Sequence, residues 1–175
     1  LYAGYPVARA SWRRKLFRDA IGISGWKNLK PLLMAMRSKS SRPFAARILG
    51  VQLVLWLGTW ALTGRWWLYP LCWLGPWMTV WRVLNRLRAI AEHGGMERSD
   101  DRRRTTHAIR QSWSARFWIV PYRTGWHLAH HVDMGVPWRQ LPAYHRELVA
   151  AGWVTPALEH PSYRAFWKAC SSADA

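Results

Sequence analysis

The residues best suited to chemistry form one short run, His127-Leu128-Ala129-His130-His131. On a helix His127 and His131 are four residues apart and His127 and His130 three, so the spacing predicts all three imidazoles on one face. Three neutral imidazoles on a rigid element suit an oxidisable transition metal such as iron. The same pattern also fits a solvated or interfacial histidine cluster, and alone it does not separate the two. A further histidine lies upstream, in Ala91-Glu92-His93-Gly94. Glu92 is placed either to orient His93 or a neighbouring ligand, or to make an ordinary surface salt bridge; the second is the simpler expectation. Asp133 is open to the same two readings. His145 is expected to serve structure, while His107 and His160 read as surface residues.

Elements that could position these groups follow from composition. Half of the 175 residues are apolar, 15 are Trp, and 26 Lys+Arg stand against 9 Asp+Glu. Trp at the headgroup level with basic flanks suits a protein seated in a bilayer. Two uncharged runs, Ile48 to Thr63 and Trp66 to Trp81, flank a turn at Gly64-Arg65. Each run is about 24 Å long as a helix and can be lengthened outward, to Phe44 and to Leu84, toward the ~30 Å hydrocarbon core. Arg47 and Arg82 would then snorkel to the headgroups, and Pro70 and Pro76 would kink the second helix. The pair predicts a transmembrane hairpin over residues 47–88, between a basic cytosolic or interfacial segment, 1–46, and a cytosolic C-terminal region, 89–175. The first segment holds 10 Lys/Arg and a single acid, Asp19. By the positive-inside rule both outer regions, and both termini of this chain, face the cytoplasm.

The remaining segments are read more coarsely. Trp12 to Phe17 could begin an amphipathic helix on a membrane surface or belong to a solvated basic linker. Asp100-Asp101-Arg102-Arg103-Arg104 suggests an exposed loop. Pro121 and Pro137 bracket a helical stretch from Arg123 to Met134, and Leu141-Pro142 starts another helix. The fold class is therefore mostly α, a membrane hairpin with a cytosolic helical cap. Cys72, inside an apolar run, reads as a buried thiol, and Cys170 lies far from it. The charge alone would admit a nucleic-acid binder, but the apolar hairpin and the lack of a recognition motif argue against one.

Several segments, in order, resemble bacterial membrane fatty acid desaturases. Arg88-Ala89-Ile90-Ala91-Glu92-His93 resembles the segment after their last membrane helix, and Arg104-Thr105-Thr106 resembles their R-T-T. The run from Trp126 to Leu148 is similar to their third histidine box with its tail, and Arg14 to Asp19 with Gly22 and Gly25 to the stretch before the last hairpin. The resemblance implies two non-haem iron ions held by histidines from three boxes plus an accessory ligand. It implies O2 as co-substrate, a lipid or fatty acyl substrate, and electrons from ferredoxin or a cytochrome b5-like donor. Carried over by position, the metal ligands are His127, His130 and His131, with His93 as the accessory histidine.

Departures from the family pattern bear on that carry-over. Gly125 stands where many members have Asn, Ala129 where Glu is common, and His107 where Arg is frequent. The first two histidine boxes are missing, and with Leu1-Tyr2-Ala3-Gly4 at the start the expectation is a C-terminal fragment. Such a fragment would supply about half of the ligand set and would be inactive alone. A lipid or carotenoid hydroxylase or ketolase of the same fold is the alternative within the same chemistry. An inactive truncated membrane protein is the alternative outside it.

Overall fold

The computed structural model describes residues 4–173, so the opening Leu1-Tyr2-Ala3 lies outside the described residues. The chain is mostly helical and its described residues divide into two compact parts: residues 14–83, and residues 4–13 together with 84–173. Helix α1 is Arg9–Ala20, longer than the stretch expected from Trp12.

Within residues 14–83, α2 (Ile23–Ala35) starts behind Gly22, whose φ of 83° is left-handed. Two residues into the helix, Gly25 packs so closely on Met78 that a Cβ there would lie 2.3 Å from the Met78 carbonyl oxygen. Glycine at 25 is what allows the approach of α2 to α4 (Gly75–Met78). Helix α3 (Arg42–Thr63) has Pro43 in its first turn and ends at Gly64, whose left-handed backbone (φ 68°) donates its N–H to the Trp60 carbonyl at 2.7 Å. Its 22 residues give about 33 Å, enough to cross a hydrocarbon core. Its apolar side chains, among them Val54, Leu57, Trp60 and Leu62, point outward and are exposed. Among the described residues α3 is the one helix long and apolar enough to span a membrane.

The second apolar run is broken further than the kinked helix expected. Trp66 and Trp67 lie in a turn, Pro70–Leu74 forms a π-helical turn, α4 follows, and the backbone breaks at Thr79 (φ −119°, ψ −85°) before α5 (Val80–His93). The cause lies in the prolines, which have no N–H to donate and crowd the preceding turn. The Pro70 carbonyl is met five residues on by the Gly75 N–H, the π-helical pattern. At the break the Thr79 hydroxyl donates to the Gly75 carbonyl at 2.7 Å. Cys72 is exposed, contrary to the buried thiol expected, and Leu71 and Trp73 on either side of it are exposed as well.

The other compact part carries two small cores. Ile90 and Ala91 of α5 pack with Ile109, Ala115, Val120, Tyr163, Phe166 and Cys170. Ala108, Leu128 and Val154 form the second core. The elements around them are β1 (Ala108–Ile109), α6 (Trp113–Trp118), α7 (His127–Val132), α8 (Leu141–Ala150), β2 (Glu159–His160) and α9 (Tyr163–Cys170). Strands β1 and β2 pair in parallel, Ala108 with Glu159 and Ile109 with His160. Ser112 and Ser162 cap α6 and α9 by accepting the backbone N–H three residues on. The expected helix from Arg123 to Met134 shrinks to α7. A 3-10 turn at Pro121–Arg123 precedes it, with Tyr122 and Arg123 at positive φ, so the helix cannot begin earlier. Arg102–Arg104 is an exposed 3-10 turn capped by Asp101.

Candidate metal centre

Helix α7 is short but firmly placed. Leu128 and Ala129 are fully buried on one side, which turns His127, His130 and His131 to the other. Ala129 has no exposed surface, so a Glu in its place would put a charge in the core. His93 arrives at the end of α5, where His107 donates its backbone N–H to the Glu92 carbonyl at 3.0 Å. The adjacent Thr105 carbonyl lies 2.8 Å from Nδ1 of His93. With Nδ1 turned to that carbonyl, Nε2 of His93 faces Nε2 of His127.

Three ring nitrogens then converge. Nε2 of His127 is 3.1 Å from Nε2 of His93 and 3.0 Å from Nε2 of His131. The ligand atoms of these three histidines all lie within 4.8 Å of one another. Hydrogen bonds do not satisfy this arrangement, because Nε2 of His127 has a single in-plane position and can join only one of its two neighbours. A shared cation satisfies all three, and metal–nitrogen bonds of about 2.1 Å place neighbouring nitrogens about 3 Å apart. Burial, with the nearby His131 and His93, pushes the His127 pKa down to about 2, and burial also lowers that of His131. Neutral imidazoles are the form that ligates a metal. The donor set therefore fits a transition metal.

His130 stands outside this group, its ring centroid 6.2 Å from that of His127 and 5.9 Å from that of His131. It lines an open cleft with His127, Arg88, Thr124, Met134 and Trp138. Glu92 is buried rather than on the surface. Arg88 donates to its Oε1 at 2.6 Å, and its Oε2 lies 3.6 Å from Nε2 of His127. Burial raises its pKa against the pull of Arg88. Asp133 instead accepts the Gly135 N–H at 2.8 Å and closes a turn. His145 is buried behind the site, its ring 4.6 Å from that of Trp126, the residue before His127. Its Nε2 lies 3.8 Å from the Glu159 carboxylate, beyond hydrogen-bond range.

His107 and His160 correct the surface reading. Nε2 of His107 donates to the Gly94 carbonyl at 2.9 Å, and its Nδ1 is 3.2 Å from Nε2 of His160, with both rings against Phe166. The β1–β2 ladder brings together these histidines, far apart in sequence, and no local spacing announces it. Gly125 is hemmed in by the Gln111 carboxamide and Val120, both under 3 Å from where a Cβ would stand.

The chain is mostly helical, with one apolar helix of membrane length among the described residues and a cluster of three convergent imidazole nitrogens that could hold a metal ion. The Fatty acid desaturase family model matches residues 2–164. The chain belongs to the fatty acid desaturase family. That membership implies a lipid substrate, a membrane setting and oxidoreductase chemistry. No curated protein and no solved structure matches the chain.

Proposed function

We propose that the chain is part of a membrane lipid desaturase that removes hydrogen from a fatty acyl chain with O2, at a centre of two iron ions. The observation that carries this reading is the convergence of His93, His127 and His131 through Nε2 in a chain of the desaturase family. These three residues would hold one iron, and His130, facing the adjoining cleft, is assigned to the second. When bound, the iron centre supplies O2 activation and abstraction of hydrogen from an unactivated C–H bond. The chain's own residues prepare that centre. Thr105 fixes the His93 tautomer, burial keeps His127 neutral, and Arg88 neutralises the Glu92 carboxylate beside it. A two-iron centre needs more donors than these four histidines, so they make up one part of the ligand shell.

Residues 47–88 are proposed to sit in the membrane as a hairpin, with 1–46 and 89–175 on the cytoplasmic side. Ferredoxin or a cytochrome b5-like protein would be the electron donor, and the basic surface (net charge +17) suits an acidic partner. The test is lipid mass spectrometry of a host expressing the gene that encodes this chain, compared with His127→Ala and His131→Ala variants, with iron measured in the purified protein. New unsaturated acyl chains and bound iron are expected, both lost in the variants. Unchanged lipids and no iron in the parent protein would overturn the reading, whereas a hydroxylated product would favour the hydroxylase alternative.

A further inference from the structure

From the placement of Glu92 we infer that its carboxylate is a metal ligand, a fourth donor beside His93, His127 and His131. The inference rests on the metal-centre reading above and deepens it. A carboxylate that merely orients a ligating histidine bonds the ring nitrogen turned away from the metal. Glu92 does the opposite. Its Oε2 approaches Nε2 of His127, the same atom that meets His93 and His131 at 3.1 and 3.0 Å. The 3.6 Å separation is too long for a good hydrogen bond and close to the spacing of two donors on one cation. The other oxygen, Oε1, is held by Arg88 at 2.6 Å, which fixes the carboxylate plane and leaves Oε2 directed into the cluster. The two residues are one helical turn apart on α5, so the arm that aims the carboxylate is built into the same helix that ends in His93.

The chemistry favours this assignment over a structural ion pair. Glu92 is only 8 % exposed, and burying a carboxylate is costly unless its charge is compensated. Arg88, a quarter exposed, compensates one oxygen; a cation among the imidazoles would compensate the other. Three neutral nitrogens plus one anionic oxygen form a harder donor set than imidazole alone, and harder sets suit iron and manganese better than copper.

The test uses the full chain in detergent, titrated with Co(II) alone and followed by visible absorption and equilibrium dialysis. The parent chain is expected to bind Co(II), and Glu92→Gln to bind it about 100-fold more weakly with altered absorption bands, a loss at the upper end of that seen when a ligand's supporting partner is removed. Glu92→Asp, which keeps the charge but shortens the arm, should retain binding with shifted bands, and it serves as the readout should Glu92→Gln fail to fold by circular dichroism. Arg88→Met should cost no more than about tenfold and keep the parent spectrum. If Arg88→Met reproduces the loss, Glu92 acts only through its ion pair and the inference falls. If His127→Ala abolishes binding while Glu92→Gln and Glu92→Asp match the parent in affinity and spectrum, the carboxylate is no ligand although the histidine centre stands. If the parent chain binds no Co(II), the metal-centre reading itself fails, and the inference with it.

Discussion

Replacing Gly125 by Ala puts the packing behind the histidine helix to a direct test. A Cβ at this position would lie 2.7 Å from Cδ and 2.8 Å from Nε2 of Gln111, and 2.8 Å from Cγ2 of Val120. Ordinary carbon contacts are about 3.5–4.0 Å, so close to an ångström must be found on two sides. The Gln111 carboxamide ends a flexible side chain, yet both its polar atoms are buried without a hydrogen bond, which leaves it few places to go. Val120 is fully buried and cannot retreat without moving the core that holds Ile109 and Ala115. Overpacking of this kind costs about 1–3 kcal/mol. Gln111→Ala alone should be nearly neutral, because it removes packing but also removes an unsatisfied buried amide whose cost is about 1–3 kcal/mol. The double variant should recover part of the Gly125→Ala loss, with a coupling of about 1 kcal/mol. Denaturant unfolding of the four proteins in detergent measures the cycle. A neutral Gly125→Ala, or strictly additive losses, would refute the reasoning. Gly125→Asn should behave no better than Gly125→Ala in this chain.

Two further outcomes are expected. Burial, with a smaller push from His160, brings the His107 pKa from 6.5 down to about 4, against the raising effect of its bond to Gly94. The unfolded chain takes up this proton below 6.5 and the folded chain does not. Stability should therefore hold above pH 6.5 and fall between 6.5 and 4, by about 2 kcal/mol from this group once its partial exposure is discounted. His107→Gln should flatten that part of the pH profile, and an unchanged profile would argue against the buried placement. For the thiols, Cys170 is buried with its pKa pushed up to about 11, while Cys72 is exposed in the chain and covered only if a bilayer surrounds it. A charged maleimide at pH 7 should then label neither cysteine in intact vesicles and both after denaturation. Labelling of Cys72 in vesicles would contradict membrane placement of the second run.

How far the sequence could be read depended on whether the signal was local. The pairing of His127 with His131 follows from one turn of helix, and the long apolar helix from hydropathy alone. His130, three residues along, falls outside the nitrogen cluster because the direction from which His93 arrives favours the four-residue neighbour, and spacing does not encode that direction. The apolar content of Trp66 to Trp81 was equally plain, but hydropathy reports transfer from water and not where carbonyls find donors. Pro70 and Pro76 therefore altered the helix in a way that composition could not specify. Tyr122 and Arg123 took left-handed backbone against their ordinary preference, which shortened the histidine helix. The His107–His160 pair depended on a two-residue ladder between distant segments and had no local signature.

That ladder also sets an order of events during synthesis. β1 emerges from the ribosome well before β2, and the intervening chain contains all of α7 with His127, His130 and His131. His93, His127 and His131 are thus already made while Ala108 and Ile109 still lack their partners Glu159 and His160. Closing so long a loop carries an entropic cost that only the finished pairing and its core offset. A nascent chain stalled before residue 159 would hold its imidazoles on an unlocked scaffold, so the convergence of their nitrogens is fixed after release of the C-terminal segment rather than during its translation.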